Sequence, residues 1–226
     1  MHEEHAGFAN VLSDASELEA HYRPPSQVVL DKDTDVLDDG CREFIDRSTF
    51  VLVASSNRDG DLDVSPRGGP PGFVKVLDDH RLAIPDLNGN NRLDSIKNVI
   101  EHERVGLLFL IPGMGETLRI NGRACITTDD SVLDRFTDEF KRPKTAIGVT
   151  IDQGFIHCAK SIRRANLWEP GEWPGAEEQP SAGEILVAHS GLEGIITGEQ
   201  LDTSLDESYV RDLAADRPDG PPASGD

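Results

Sequence analysis

Cysteine is scarce in this chain, and its three copies, Cys41, Cys125 and Cys158, lie far apart in the sequence. None of them forms the C-x-x-C spacing that is typical of structural zinc sites and redox-active disulfides. An odd and sparse count also argues against the disulfide framework of a small secreted domain. We therefore expect no metal site, and three reduced thiols that are buried as small apolar side chains.

Long hydrophobic segments are also missing. The longest apolar run, VGLLFLIPG, has the length of a strand and falls well short of the roughly 18 residues of a membrane-spanning helix. The first residues, MHEEHAGFAN, carry acids and lack the basic-then-apolar pattern of a signal peptide. The sequence therefore predicts a cytoplasmic protein without a membrane partner.

Positively charged residues are also scarce. Lys and Arg number 22 against 42 Asp and Glu, so the formal net charge is −20 at pH 7. We expect no nucleic-acid partner, because binding to nucleic acid requires neutralisation of phosphates. The motifs G-x-G-x-x-G and G-x-x-x-x-G-K-[ST] are absent, which argues against Rossmann and P-loop nucleotide sites. The few cations in so acidic a chain become candidates for function.

The chain does contain a succession of short β patterns. Two predicted hairpins, 49–65 and 72–85, are followed by predicted strands at 104–111, 116–127, 144–152 and 154–162. The second hairpin begins with a strand over 72–78. Gly122, in the middle of a long alternating strand, predicts a bulge of the kind that barrels use to turn corners. We predict a mainly β protein of the α+β class: an antiparallel barrel of six or seven strands with short helices.

Helical patterns lie around the strands. Apolar spacing and capping residues predict helices over 13–22, 35–47, 92–102 and 131–140. Two prolines predict extended chain over residues 23–33. The predicted layout is a helical and extended lead (1–33), a barrel (34–168) and a C-terminal extension (169–226).

The C-terminal extension begins with a Pro/Gly/Glu-rich linker over 169–180. Helices are predicted over 183–188 and 198–215, the second with a capping box formed by Thr197 and Gln200. The low-complexity acidic end, DRPDGPPASGD, predicts disorder.

The stretch 64–95, VSPRGGPPGFVKVLDDHRLAIPDLNGNNRLDS, combines a Gly/Pro corner, two short strands and a polar loop that opens a helix. Basic groups of interest in it are Arg67, Lys75 and Arg92, and Asn90, Asn91 and Ser95 supply neutral hydrogen-bonding groups beside the last of these. A turn that leads into a helix N-terminus presents unpaired N–H groups and the positive end of the helix dipole, which suits a phosphate. The alternative is a surface loop before a well-capped helix, and spacing alone leaves both open.

Five segments follow one another along the chain: FVK followed by DDHRLAIPD, then NNRLDS, RVGLLFLIPG, RINGRACIT and HCAKSIRRANLW. Their order resembles that in the FMN-binding split β-barrels of the pyridoxamine 5′-phosphate oxidase-like family. The resemblance covers about residues 34–168, and the tail after Trp168 resembles that of a bacterial and archaeal subfamily of undefined substrates. It implies a split barrel that binds FMN and forms a homodimer, with the FMN sites at the subunit interface.

The resemblance also implies which residues contact FMN. Lys75 corresponds to the family's strand lysine near the flavin, where a cation would stabilise the reduced, anionic ring. Arg67 corresponds to the family's first-strand arginine. The other correspondences are backbone beside the ring at Ile84 and Pro85, the phosphate loop at Asn91, Arg92 and Ser95, and a ring or ribityl contact at Thr117. Candidates for the neighbouring subunit's site are Lys160, Arg164 and Trp168, with His157 and Arg163 beside them.

Two functions remain open from the sequence. The first is an FMN-dependent oxidoreductase, in which the flavin exchanges a hydride with an unidentified small molecule and no catalytic side chain is identified. The second is a non-catalytic protein that binds flavin, deazaflavin or haem for storage, sensing or stress protection. The chain lacks the C-terminal Arg-Leu-His element of the vitamin-processing members, so pyridoxamine phosphate is not the expected substrate.

Overall fold

The computed structural model describes residues 7–221. Residues 1–6 and 222–226 lie outside the description, and with them the end of the segment for which disorder is predicted. The contacts divide the chain into a small N-terminal unit that ends at Asp33 and a large unit that begins at Thr34.

The N-terminal unit contains two short helical segments. A 3-10 helix, Ala15–Ala20, begins at Asp14, whose side chain forms a capping box with Glu17, so the helix predicted over 13–22 is present in shortened form. A short helix, α1 (Gln27–Leu30), follows. The prediction of extended chain over 23–33 is therefore wrong in part. Both prolines precede the helix, where a missing N–H and a fixed φ do not interfere.

Seven strands of the large unit form one antiparallel sheet. They are β1 (Phe50–Ser56), β2 (Leu62–Gly68), β3 (Lys75–Val76), β4 (Arg81–Pro85), β5 (Arg104–Leu110), β6 (Thr117–Thr127) and β7 (Ala146–His157). Their order across the sheet is β2-β1-β5-β6-β7-β4-β3. The predicted class, mainly antiparallel β with short helices, is confirmed. Within residues 7–221 the strands β2 and β3 form the two edges, and no ladder between them closes the sheet.

In the described part of the large unit, six α-helices lie before, between and after the strands. They are α2 (Asp39–Arg47), α3 (Asp94–Glu101), α4 (Asp130–Leu133), α5 (Lys160–Arg164), α6 (Ala182–His189) and α7 (Gly198–Ala215). The predicted capping box is present, since Thr197 and Gln200 bond each other's backbone N–H at the start of α7. None of the helices in the described part of the chain is long and apolar enough to cross a membrane.

Several predicted segments differ in extent from the structure, and the helix predicted over 35–47 begins only at Asp39. The helix predicted over 131–140 is only α4 and a 3-10 turn, Asp134–Phe136, and this tighter path buries both Phe136 and Phe140. The strand predicted over 72–78 is reduced to β3, because Gly72 has a left-handed backbone (φ +79°) and the two following side chains turn into the core. The first residues of the predicted disordered end, 216–220, form a hydrogen-bonded turn after α7.

The strands predicted over 144–152 and 154–162 are one strand, β7, followed by α5. Gly154 does not interrupt this strand. Its N–H and C=O both pair with Thr34, while it lies opposite Ile120 of β6. The lysine and arginines that follow Cys158 therefore lie on or beside a helix rather than on a strand.

The core lies on one face of the sheet, under α2, α3 and the segment around Phe136. Val51 and Val53 of β1 and Phe109 of β5 point into it and are fully buried. The predicted bulge in β6 is present between Asn121 and Gly122. A Cβ at Gly122 would lie 2.2 Å from the carbonyl oxygen of Thr150, so a side chain does not fit there.

The prediction of three buried thiols is wrong for two of them. Cys41 is buried in α2, and that burial, with a smaller contribution from Asp38, raises the pKa of its thiol to about 11. Cys125 and Cys158 are exposed. Cys125 occupies an outward position of β6, so strand alternation rather than the apolar character of the thiol decides its exposure.

Candidate functional site

Strand β2 carries polar side chains on the core face of the sheet and apolar side chains on the outer face. Ser65 and Arg67 lie opposite Val53 and Val51 of β1, and directly opposed residues of antiparallel strands share a face. Both valines are fully buried. The polar row of β2 therefore continues the core face, where it lines a cavity of about 350 Å³ beside the loop 86–93.

Arg67 is held in this first cavity by Asp86. Its Nη1 donates to Oδ1 of Asp86 at 2.7 Å, and the two side chains are only 20% and 18% exposed. The Nε of Arg67 is buried and has no hydrogen-bond partner among the described residues. A buried donor without a partner is costly, so this N–H is suited to an oxygen atom of a ligand.

The loop 86–93 turns sharply into α3. Asn91 and Leu93 both have a left-handed backbone, with φ of 56° and 60°, which is unfavourable for leucine. Leu93 is the N-cap of α3 and supplies no side-chain acceptor to the first N–H groups of the helix. Ser95 in the first turn is buried, and its Oγ donates to Oδ2 of Asp63 at 2.5 Å. An uncapped helix start that opens on a cavity is favourable for an anion.

Arg92 lies at the rim of the first cavity. Its side chain is 76% exposed, and its Nε donates to Oδ2 of Asp94 at 2.8 Å. The lining of the cavity contains two arginines and three carboxylates, those of Asp63, Asp86 and Asp94. Each arginine is paired with one carboxylate, so a bound anion has to compete with the protein's own acids.

A second cavity of about 620 Å³ adjoins the first, and Arg67 lines both. Its wall is about equally polar and apolar, and the apolar part includes Pro66, Pro70, Phe73, Pro85, Leu87 and Phe140. Gly69 permits this packing, because a Cβ there would lie 2.6 Å from Phe73 and 2.9 Å from Phe140. Together the two cavities can hold a ligand with an apolar body and an anionic end.

The end of the C-terminal helix also lines the second cavity, through Leu213, Asp216 and Arg217. Oδ1 of Asp216 accepts hydrogen bonds from the backbone N and from Nδ2 of Asn88, at 3.2 and 2.7 Å. Burial raises the pKa of Asp216 above its usual value, and the neighbouring Asp212 contributes to the shift. Residues 169–226 are predicted from the sequence as a separate extension, so this contact with the cavity is not expected.

Lys75 and Ile84 do not line either cavity. Nζ of Lys75 lies 2.6 Å from Oε1 of Glu139, and both side chains are about one-fifth exposed, at 20% and 22%. Oε2 of Glu139 is buried without a hydrogen-bond partner among the described residues. Ile84 is fully buried in the core, whereas the following Pro85 lines the second cavity.

The remaining predicted residues lie elsewhere on the chain. Thr117 is buried at the start of β6, opposite His157 of β7. Nε1 of Trp168 donates to the carbonyl oxygen of Met114 at 2.7 Å. Lys160 and Arg164 are exposed on α5. Within residues 7–221, the two cavities are not lined by Thr117, Lys160, Arg164 or Trp168.

The acids that hold the predicted cations and serine in place are not predictable from the sequence. Asp63, Asp86 and Glu139 each bind one of these groups, yet nothing distinguishes them in a chain with 42 acidic residues. One signal was present. The alternation in LDVSPR places Asp63, Ser65 and Arg67 on the same face of a strand, which marks that face as polar.

Solved structures of similar fold are distant in sequence. HupZ of Group A Streptococcus is 14% identical, with a TM-score of 0.45, over 54% of this chain and 99% of its own. A Clostridium acetobutylicum protein of the pyridoxinephosphate oxidase family, related to general stress protein 26, is 13% identical, with a TM-score of 0.38, over 53% and 86%. An FAD-binding protein of Mesorhizobium loti is 17% identical, with a TM-score of 0.35, over 54% and 96%. These likenesses are too remote to assign a ligand, and no curated protein matches the chain.

A family profile gives the stronger result. The profile described as pyridoxamine 5′-phosphate oxidase matches residues 37–158, which is more than half of the chain. The matched segment contains all seven strands, the loop 86–93 and α3. This chain belongs to the pyridoxamine 5′-phosphate oxidase family.

Proposed function

We propose that the two cavities joined at Arg67 bind FMN and that the protein is a flavin-dependent oxidoreductase acting on a small molecule. The observation that carries the proposal is the buried Nε of Arg67, a donor without a partner beside an uncapped helix start. A phosphate dianion is the ligand group that best uses a guanidinium and helix N–H groups together. Membership of the family supports a flavin as the ligand that carries this phosphate.

The sizes of the cavities support the same assignment. Ligand pockets commonly enclose about 300–1,000 Å³, and the two cavities measure about 350 and 620 Å³. The smaller is lined by Arg67, Arg92 and the start of α3, and the larger has one apolar side formed by prolines and phenylalanines. A phosphate in the smaller cavity would leave the larger one for the planar ring of the flavin. Asn91, Arg92 and Ser95 would then complete the phosphate site around Arg67.

Carboxylates of the protein affect how tightly the two arginines can bind a phosphate. Arg67 pairs with Asp86, and Arg92 pairs with Asp94. A phosphate gains both arginines only by drawing them partly away from these carboxylates. The acids also hold each guanidinium in place before the ligand arrives, which reduces the ordering cost of binding.

A bound flavin supplies the redox chemistry, accepting or donating a hydride. The chain's residues bind and orient it: Arg67 at the phosphate, and Phe73, Pro85 and Phe140 along the apolar wall. Lys75 would act on the ring only if Glu139 released it, since the two side chains form a close ion pair. No side chain is assigned a proton-transfer role.

The outer face of the sheet supports a homodimer as part of this proposal. Leu62 and Val64 on the edge strand β2 are 83% and 61% exposed, although they stand in a strand. Arg119, on the outer face of β6, lies over the ring of Phe155 at 4.2 Å and has a buried Nε without a partner among the described residues. An apolar face with an unsatisfied donor needs a cover. A second copy would supply it and would bring Thr117, Lys160, Arg164 and Trp168 to the partner's cavity.

The cofactor assignment is tested by denaturing the purified protein and analysing what it releases. We expect a yellow protein that releases FMN rather than FAD, because the candidate site holds one cluster of phosphate-binding groups. Release of FAD, or failure to take up FMN from a micromolar solution, would contradict the assignment. Bleaching of the bound flavin by a reduced nicotinamide, followed by reoxidation in air, would distinguish turnover from simple binding.

A further inference from the structure

The C-terminal extension is attached to the candidate site through one residue that contacts two of its walls. Besides the two hydrogen bonds from Asn88, the carbonyl oxygen of Asp216 accepts from the backbone N of Lys141 at 2.7 Å. Asn88 belongs to the loop 86–93, and Lys141 directly follows Phe140 in the apolar wall of the second cavity. Asp216 therefore bridges the loop on one side of the cavity and the wall on the other.

The chain around Asp216 is built to hold this position. Ala215 is only 2% exposed. The chain then turns back at Gly220, whose N–H donates to the carbonyl oxygen of Arg217. A Cβ at Gly220 would lie 2.1 Å from the carbonyl oxygen of Ala214, so the turn excludes a side chain there. The end of α7 is thus a fixed structure rather than a loose tail.

The other end of the extension is fastened within itself. Asp202 of α7 accepts hydrogen bonds from Ser181 Oγ and from the backbone N of Gly183, at 2.7 and 2.6 Å. These bonds tie α7 to α6. The helices α6 and α7 are therefore joined to each other, and the last turn of α7 joins both to the cavity through Asp216.

We propose that Asp216 is a positioning residue that holds the loop 86–93 in its ligand-binding conformation, so that the C-terminal extension closes the cofactor site. The inference rests on the proposed function for the identity of the ligand, but the contact itself does not. Leu93, in the same loop, has an unfavourable left-handed backbone that an external anchor would help to maintain.

The test compares Asp216→Ala and Asp216→Asn with Asp206→Ala, a control at an exposed position of the same helix. Two quantities are measured: amide hydrogen exchange in the loop 86–93, and affinity for FMN by fluorescence titration. We expect Asp216→Ala to speed exchange in the loop and to weaken FMN binding about tenfold, the loss expected for hydrogen bonds to a charged group. Asp216→Asn keeps an acceptor and should resemble the wild type, as should Asp206→Ala.

Asn88→Ala removes the side-chain donor of the same contact from the loop, and it replaces Asp216→Ala in the test if that variant does not fold. Unchanged loop exchange in the folded members of this pair would overturn the proposed contact. Faster exchange with unchanged FMN affinity would overturn the positioning role. If the wild type does not bind FMN, the proposed function fails, and the exchange data still decide whether Asp216 holds the loop.

Discussion

Arg67 on the edge strand β2 and Asp86 after β4 form an ion pair of 2.7 Å with both side chains about four-fifths buried. The two residues are 19 positions apart, and strands β2 and β4 are not neighbours in the sheet. The pair therefore ties an edge strand to the loop 86–93 across the first cavity. In the proposed site, Asp86 both orients the guanidinium and competes with the phosphate for it.

Asp86→Asn should separate these two effects. The amide still accepts a hydrogen bond but no longer carries a charge, so FMN affinity should rise about three- to tenfold through relief of Coulombic repulsion. The free energy of unfolding should fall by about 1 kcal/mol, because a partly buried guanidinium loses its counter-charge. Titration measures the FMN affinity and thermal melting measures the stability. Asp59→Asn, in the exposed 57–60 turn, is the control. Weaker FMN binding by Asp86→Asn would indicate that Asp86 acts only as an orienting group.

The local elements of the fold were predictable where one period dominates. Strand β4 and helix α7 occupy the predicted residues, since LAIP is a continuous apolar run and α7 begins with a capping box. The strand over 72–78 was not predictable in its extent, because the left-handed Gly72 and the burial of Phe73 are decided by tertiary packing. The single long β7 depends on Thr34, more than one hundred residues earlier in the chain, which pairs with Gly154.

The candidate site was predictable in part, for the same physical reason. Arg67, Pro85, Asn91, Arg92 and Ser95 lie within thirty residues of one another, and a local motif can therefore point to all of them. Their partners are set by long-range contacts, as with Asp216, which is 128 positions from Asn88. No local pattern marks such a residue, so the closing role of the C-terminal extension emerges only from the structure.

The three thiols should differ in reactivity. Cys125 and Cys158 are exposed, whereas burial raises the pKa of Cys41 to about 11 and removes its thiolate at neutral pH. In the native protein at pH 8, a disulfide reagent should therefore label Cys125 and Cys158 first, and Cys41 only after denaturation. Mass spectrometry of labelled peptides identifies the sites. Rapid labelling of Cys41 in the folded protein would show that α2 does not pack as described.

The raised pKa of Asp216 predicts a pH-dependent stability difference. The folded protein binds this proton more tightly than the unfolded chain does, so ionisation at neutral pH lowers the free energy of unfolding. That penalty is lost as the pH falls through the raised pKa towards the model-compound value of 3.8. Asp216→Asn removes the charge at every pH. It should therefore melt at a higher temperature than the wild type at pH 7, with the difference vanishing below pH 3.8, where the wild-type carboxyl is protonated in both the folded and the unfolded state.

A lower melting temperature for Asp216→Asn at pH 7 would show that the ionised carboxylate is stabilising. Asp206→Asn, at an exposed position of α7, controls for the general effect of removing an acid from a strongly acidic chain.

The proposed homodimer makes the outer face of β2 sensitive to charge. Val64→Lys places a cation in the proposed interface and should shift the protein from dimer to monomer, because burial of an unpaired charge is costly. Val210→Lys, at an exposed apolar position of α7, is the matched control and should remain dimeric. Light scattering during gel filtration measures both masses. A wild type that is monomeric at working concentration, or equal behaviour of both variants, would contradict the proposed interface.

The central claim is that Arg67 binds the phosphate of the flavin, and it is tested most directly by comparing FMN with riboflavin, which lacks that phosphate. The measurement is the affinity of wild type and Arg67→Met for both ligands, with Arg92→Met as the exposed comparison. We expect Arg67→Met to weaken FMN binding about ten- to a hundredfold, the loss expected for a charge-assisted pair, and to leave riboflavin binding unchanged. Arg92→Met should lose less, because its side chain is 76% exposed. Equal losses for FMN and riboflavin, or no loss of FMN affinity in folded Arg67→Met, would contradict the assignment of this site.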